Sequence, residues 1–403
     1  MKKDFSNPFK ALKNRNFFIY WLGLSVSQSG TWMQNIAQPW LALIITNNPT
    51  LVGLVSAAQF VPIMLFSLFS GVFVDKLDKK LILYITQSGQ CAVSLFFALS
   101  VFYDFATYAL VLGLAFATGI FNCLDSPTRH SFIYELISDK KLVPNAIALN
   151  SMSVSVSRIA GPSLAGLVMA TLGLGACFLF NTISFIAIFI SLFFIHTQKT
   201  AKLKNSTGML TAIKSALSYI KNHDILLMPL LILLIFATLI PNYAVSVSAL
   251  VRFELGGSDG DFGYLMAFIG VGAFAGAFAS AIQKQLNMKT IYYGPFACAF
   301  WLFCVGIYSS FWWVALMLTL TGFSFIKTLN AINSCLQLFS LDLYRGRVMS
   351  VYSLFFLGST PLGAWIAGFL ASEFGAKEGF FICGVATCVL LILLYLFKNI
   401  VKK

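Results

Sequence analysis

Runs of about twenty or more mostly apolar residues recur along the entire chain, and nothing else in the sequence constrains its fold as strongly. They lie near 16–46, 50–74, 80–102, 105–136, 142–172 and 174–196, and resume after a polar stretch near 224–252, 261–283, 289–308, 311–341, 345–371 and 378–398. A hydrocarbon core about 30 Å thick is crossed by about 20 apolar residues in helical conformation. Of 403 residues, 59% are apolar and 10% charged, against about 25% charged in ordinary soluble domains. A soluble chain of this length has no way to hide so much apolar surface, so lipid is its solvent. The predicted fold class is an all-α integral membrane protein with twelve transmembrane helices in two pseudo-symmetric six-helix halves. The expected boundaries are 1–196 for the first half, 197–223 for a basic linker on the membrane surface, and 224–403 for the second half. Gly161-Pro162 with Gly166 is echoed about 200 residues later by Pro361, Gly363 and Gly368, as an internal repeat requires. Pro39, Pro62, Pro127, Pro162, Pro241 and Pro361 fall inside apolar runs, where proline usually marks a kink rather than an end.

Charge placement sets the expected orientation. Most of the 27 Lys and Arg lie in the tails and in every second loop, among them Lys76, Lys79, Lys80, Lys140, Lys141, Lys284, Arg345 and Arg347. The intervening loops hold Arg252 and Lys377 beside Asp104, Glu254, Asp259, Asp261, Glu373 and Glu378. By the positive-inside rule both termini are cytoplasmic. The net charge of +13 follows from this topology and calls for no nucleic-acid partner. Met1–Asn16 is basic and is followed by a short apolar core, as in a signal peptide, but apolar character continues through Trp32, Trp40 and Ile45. That pattern reads as an uncleaved first span. The 41 Phe read mainly as lipid-facing filler, with a cavity lining as the alternative.

Several chemistries find no support. The eight Cys all sit in apolar stretches, without a CxxC pair or a His or carboxylate cluster at ligand spacing, so no disulfide framework, metal site or other cofactor is expected. There is no GxxxxGK[ST] phosphate loop. The expectation is a chain that catalyses no covalent reaction and is not driven directly by ATP.

The loop after the second run reads Gly71-Val-Phe-Val-Asp75-Lys76-Leu-Asp78-Lys79-Lys80. It resembles the signature of the major facilitator superfamily, with Asp78 where glycine is commoner. Asp125-Ser-Pro127-Thr-Arg129, Asn145 to Asn150, Arg158-Ile-Ala-Gly161-Pro162 and Arg345-Gly-Arg347-Val-Met-Ser are similar to the branch of enterobactin exporters and related drug-efflux proteins, over roughly residues 15–396. The resemblance implies a conformational latch in which Asp75 meets the start of span eleven, here Arg345 to Arg347, with Gly71, Lys76, Lys79 and Lys80 completing the loop. Gly161-Pro162-Ser-Leu-Ala165-Gly166 resembles the antiporter motif of span five, whose small residues allow close helix packing. An Arg found in span four of many drug/proton antiporters is replaced by Ala115, so that residue's proton relay does not carry over.

Charges inside the membrane are functional candidates because each is costly to insert. Asp125 and Arg158 lie in adjacent spans, and Glu135 stands at the cytoplasmic rim. Two readings stay open: Asp125 pairs with Arg129 one turn away, or it titrates near Arg158 and couples a proton to movement. Lys327 in span ten either holds an anionic substrate group or partners a carbonyl or Asp342. Gln28, Trp32, Asn35 and Gln38 recur at helical spacing in span one, as do Asn330, Asn333 and Gln337 in span ten. The candidate substrate cavity is Gln28, Trp32, Asn35, Gln38, Asn122, Asn242, Tyr243, Lys327, Asn330 and Asn333, and spans one, four, seven and ten line the cavity in the family. The expected function is proton-driven export of an amphipathic organic molecule, drug or siderophore, by a monomer in a bacterial inner membrane. Its substrates and partners are small molecules, protons and lipid. An importer or facilitator of the same fold and, less so, a lipid flippase are the alternatives.

Overall fold

A computed structural model describes residues 9–137, 139, 142–195, 217–283 and 286–401. Most of the expected linker, 197–216, lies outside the described residues. So do the side chains of 67–76, and with them the predicted latch positions Gly71, Asp75 and Lys76.

Helices account for nearly all of the described chain. In order they are α1 (Arg15–Thr46), α2 (Pro49–Lys76), α3 (Lys79–Phe102), α4 (Tyr108–Leu136), α5 (Val143–Leu172), α6 (Leu174–Phe194), α7 (Asp224–Leu239), α8 (Tyr243–Ala249), α9 (Asp259–Ile282), α10 (Met288–Ile307), α11 (Phe311–Phe339), α12 (Asp342–Gly358), α13 (Thr360–Glu373) and α14 (Ala376–Val401). Among the described residues, eleven segments are long and apolar enough to cross a membrane. Helix α1, with 32 residues, has the length of a twelfth, but Ser25, Ser29, Gln34, Asn35 and Gln38 dilute its apolar character.

Two spans are split. Pro241 separates α7 from α8, and Pro361 stands at the start of α13 directly after α12. Proline lacks the N–H that a helix interior needs, so at these two positions it ends a helix rather than kinks it. Pro39, Pro62, Pro127 and Pro162 remain inside continuous helices.

The chain divides into two compact units: the described parts of Met1–Gln38 with Val61–Lys204, and of Pro39–Phe60 with Asn205–Lys403. The chain passes between them at Pro39 in α1 and next to Pro62 in α2.

In the first unit Phe17, Tyr20 and Leu24 of α1 pack with Leu83 of α3, Phe132 and Leu136 of α4, and Phe185, Ile188 and Leu192 of α6. The opposite face of α6, with Ile183, Ile186, Ile190 and Phe193, is exposed and equally apolar. A helix whose buried and exposed faces are both apolar belongs in lipid.

Polar residues tie the helices where apolar burial cannot. The Ser25 and Ser153 hydroxyls are 2.6 Å apart, and Ser29 donates to Ser157 Oγ at 3.2 Å. Asn181 of α6 donates to Gln34 of α1 at 2.8 Å. In lipid such bonds hold helices together because tail and side chain are equally apolar.

In the second unit α11 is central and packs against α9 and α10. A methyl group at Gly272 of α9 would sit 1.9 Å from the Thr319 carbonyl oxygen of α11, so only glycine permits the approach. One turn on, a methyl group at Gly276 would lie 2.4 Å from the Phe323 carbonyl oxygen, so the close contact of the two helices continues.

Candidate functional site

In the first unit, helices α3 and α4 bring together a buried carboxylate and its partners. Asp125 and Arg129 are one turn apart on α4 and form an ion pair, with side chains 3% and 9% exposed. The other carboxylate oxygen accepts from Thr86 Oγ1 at 2.9 Å and Gln87 Nε2 at 2.7 Å, both on α3. One oxygen of Asp125 thus accepts two hydrogen bonds, and the other faces the Arg129 cation. Tyr20, buried on α1, packs edge-on against Phe132 one turn further along α4, with ring centroids 5.3 Å apart. Thr86 and Gln87 escaped the sequence reading, although two adjacent polar residues in the middle of an apolar span are a visible signal.

The guanidinium of Arg158 lies over the Trp32 ring, 5.3 Å from its centroid. Gly161 makes this possible: a methyl group there would be 2.3 Å from Trp32 Cβ, so α5 closes on α1 at that level. Gly161, Pro162 and Gly166 are all buried. On α1, Gln28, Trp32 and Asn35 are half-buried, and Gln38 is 1% exposed. Asn122 of α4 is half-buried.

At the basic end of this unit, Lys79 at the start of α3 pairs with Glu135 at the end of α4, and Lys80 Nζ donates to the Ile195 carbonyl at 2.8 Å. Two positions expected in the latch thus bind helix ends of their own unit. Asp78 occupies the N-cap of α3, its side chain accepting from the Leu81 N–H at 3.0 Å. A capping carboxylate satisfies an orphan helix donor, which accounts for Asp where glycine is commoner.

In the second unit Lys327 is half-buried in the middle of α11, with Nζ 5.4 Å from the Phe323 ring centroid. Among the described residues no carboxylate forms a salt bridge with it. The side chain of Asp342, a partner expected from the sequence, lies outside the described residues. A cation–π contact contributes about 0.5–2 kcal/mol, while a cation at a helix centre costs at least about 2.5–3.5 kcal/mol. The charge is thus incompletely offset where it stands. Asn330 and Asn333 are half-buried on the same helix, and Gln337 Nε2 donates to Asn333 Oδ1 at 2.5 Å. Asn242 is 7% exposed at the α7–α8 break, donates to the Thr238 carbonyl at 2.9 Å and is followed by half-buried Tyr243.

At the basic end of the second unit, Arg345 Nε donates to the Gln337 carbonyl at 2.9 Å and Arg347 lies over the Tyr344 ring. At the acidic end, the segment 39–60 is bound by polar and close contacts. Trp40 Nε1 donates to Asp259 Oδ1 at 2.8 Å and its ring stacks on Phe262 at 4.8 Å. Arg252 reaches Asn47 Oδ1 at 3.3 Å, and a methyl group at Gly53 would lie 2.5 Å from the Ala364 carbonyl oxygen. None of these partners was foreseen from the sequence, because each joins segments some 200 or more residues apart.

The arrangement has no nucleophile–base pair among the groups just described. It has charges and amides held inside helices, and two split spans, which suit a path for a solute. Residues 6–402 match the transmembrane secretion effector family. The chain belongs to that family, and it is a transporter of the major facilitator superfamily. Its relatives agree. The staphyloferrin A transporter of Staphylococcus aureus (strain NCTC 8325 / PS 47) is 26% identical over 387 residues, covering 93% of this chain and 94% of the relative. Among solved structures, the nucleoside transporter NupG superposes with a TM-score of 0.74 at 13% identity, covering 95% of this chain and 99% of that one. A bacterial homologue of the human lysosomal transporter Spinster, inward-facing and unoccupied, gives 0.72 at 14% identity over 95% of both chains. At these identities the structural likeness speaks for the fold.

Proposed function

We propose that this transporter is a proton-driven siderophore exporter working by alternating access, in a bacterial inner membrane with both termini cytoplasmic. The observation that carries the coupling is the buried Asp125–Arg129 pair, whose carboxylate is held inside the span by Thr86 and Gln87. The substrate class rests on the relative that transports a siderophore, and the direction on a family of secretion effectors.

In this reading a proton reaching Asp125 cancels its charge and frees Arg129, and the loss of that pair drives one step of the cycle. Neutralising the carboxylate removes the attraction that holds Arg129, so proton uptake and separation of the pair are one event. Each proton entering at 100 mV supplies about 2.3 kcal/mol. Arg158 on Trp32 and Glu135 with Lys79 respond next, at mid-span and at the rim. The halves 1–196 and 224–403 act as the two moving bodies, latched through Gly71, Asp75, Lys76, Lys79, Lys80, Arg345 and Arg347. Substrate is held by Gln28, Trp32, Asn35, Gln38 and Asn122 of the first half and by Asn242, Tyr243, Lys327, Asn330 and Asn333 of the second. The protein acts as a monomer and makes or breaks no covalent bond of its substrate.

The test is siderophore content of cells with and without the gene, each with and without a protonophore. Deletion should raise intracellular siderophore, and the protonophore should mimic deletion only where the gene is present. Lower intracellular siderophore on deletion would reverse the direction, and insensitivity to the protonophore would remove the proton.

A further inference from the structure

The least buried stripe of α11 changes character at Lys327. Along it, at spacings of three and four residues, stand Leu320 and Phe323, then Lys327, Asn330, Ser334 and Gln337, so these side chains share one face of the helix. The flanks of the stripe are buried and apolar: Phe325, Ile326, Leu329, Ile332 and Leu336 are all under 9% exposed. An apolar stripe ends at Phe323, a cation stands at the boundary, and amides and hydroxyls continue for about 15 Å towards Gln337. Gln337 is joined by its side chain to Asn333 at 2.5 Å and by its carbonyl to Arg345 at 2.9 Å. The track is therefore basic at both ends, neutral and polar between, and apolar beyond Lys327.

We infer that Lys327 is the counter-cation for a carboxylate of the transported molecule, with Asn330 and Asn333 as amide donors and Leu320 and Phe323 receiving an apolar part. The order of side chains gives the orientation: the anionic group sits on the Lys327 side, and the greasy portion lies beyond it. A cation selects against cationic and, less strongly, neutral solutes, because a neutral solute leaves the Lys327 charge without a partner inside the span. Arg345, exposed at the far end of the track, draws anions to the same path, an effect that weakens with salt. The inference deepens the exporter reading and rests on it for the statement that the bound molecule is transported.

A matched pair of fluorescent probes tests it: dansylglycine, a carboxylate, and dansylglycinamide, its neutral amide, titrated against the purified full-length protein in detergent. The expected result is preferential binding of dansylglycine, weakened by salt. In Lys327→Gln, dansylglycine should bind about tenfold more weakly or worse, while dansylglycinamide, no longer opposed by the charge, should bind at least as well as before and thereby report an intact site. Lys327→Arg should keep most of the preference. Equal binding of the two probes by the unaltered protein, no binding of dansylglycine at millimolar concentration, or unchanged dansylglycine affinity in Lys327→Gln would each overturn the inference. Its failure is separable from failure of the exporter reading. If siderophore export is absent but probe binding follows Lys327, the anion site stands and the named function falls. If export is normal in Lys327→Gln, the function stands and the anion site falls.

Discussion

The indole N–H of Trp40 donates to the Asp259 carboxylate at 2.8 Å, although the two residues are 219 positions apart. This bond and the stacking of Trp40 on Phe262 bind the end of α1 into the unit that contains the second half of the chain. A hydrogen bond to a charged acceptor contributes about 1.5–3 kcal/mol, and partial exposure of Asp259 places this one at the low end. Trp40→Phe keeps a ring against Phe262 and loses the bond. Backbone amides in 39–60 should then exchange about tenfold faster, read by hydrogen–deuterium exchange, while those of α3 and α4 are unchanged. Equal protection in both proteins would show that the bond does not hold the segment.

Removing Asp125 alone leaves Arg129 charged and buried. Breaking one side of a buried pair costs about 3–5 kcal/mol, so Asp125→Ala should lower the thermal midpoint in detergent strongly. The double variant Asp125→Leu with Arg129→Met removes both charges and should recover most of that stability. A double variant no more stable than Asp125→Ala would place the cost elsewhere.

The milder Asp125→Asn retains shape and an acceptor oxygen for Thr86 or Gln87 but cannot exchange a proton. In proteoliposomes it should lose transport driven by a pH gradient and keep substrate counterflow. Full gradient-driven transport by this variant would free Asp125 from the coupling role.

Gly161 is the contact that lets α5 reach Trp32. Any side chain there begins with a carbon 2.3 Å from Trp32 Cβ, and real packed carbons do not approach so closely. Gly161→Val should displace α5, separate Arg158 from Trp32 and blue- or red-shift the fluorescence assigned to Trp32 by comparison with Trp32→Phe. An unshifted spectrum with normal transport would mean that the close approach is dispensable.

Lys79 and Glu135 join the start of α3 to the end of α4, and their side chains are 20% and 14% exposed. Glu135→Lys should reduce transport, and Lys79→Glu added to it should restore much of the loss, since the reversed pair has the same geometry. Restoration by the swap separates the pairing from any role for Glu135 as a proton carrier, because a coupling role fixed at position 135 would leave the swapped protein inactive.

Much of the fold was legible because membrane solvent imposes a length on every apolar run. The weakest such run was α1, where Ser25, Ser29 and Gln34 serve as interhelical donors and acceptors. Ser153 and Ser157 repeat the four-residue spacing of Ser25 and Ser29, a pairing visible in hindsight but not predictable, since nothing in a sequence says which helices are neighbours. For Asp125 the sequence left two cations open. The structure pairs it with Arg129 and lays Arg158 on Trp32.

By itself, the sequence determined that this chain is a bundle of membrane helices with charges at chosen depths, because hydropathy, proline and charge act locally and accumulate along the chain. Tertiary structure decided which of those charges meet. It set Thr86 and Gln87 on Asp125, left Lys327 without a carboxylate among the described residues, and gave Pro39–Phe60 to the second unit. These outcomes depend on close approach at glycines and on bonds between distant segments, and such contacts exist only once the helices have packed.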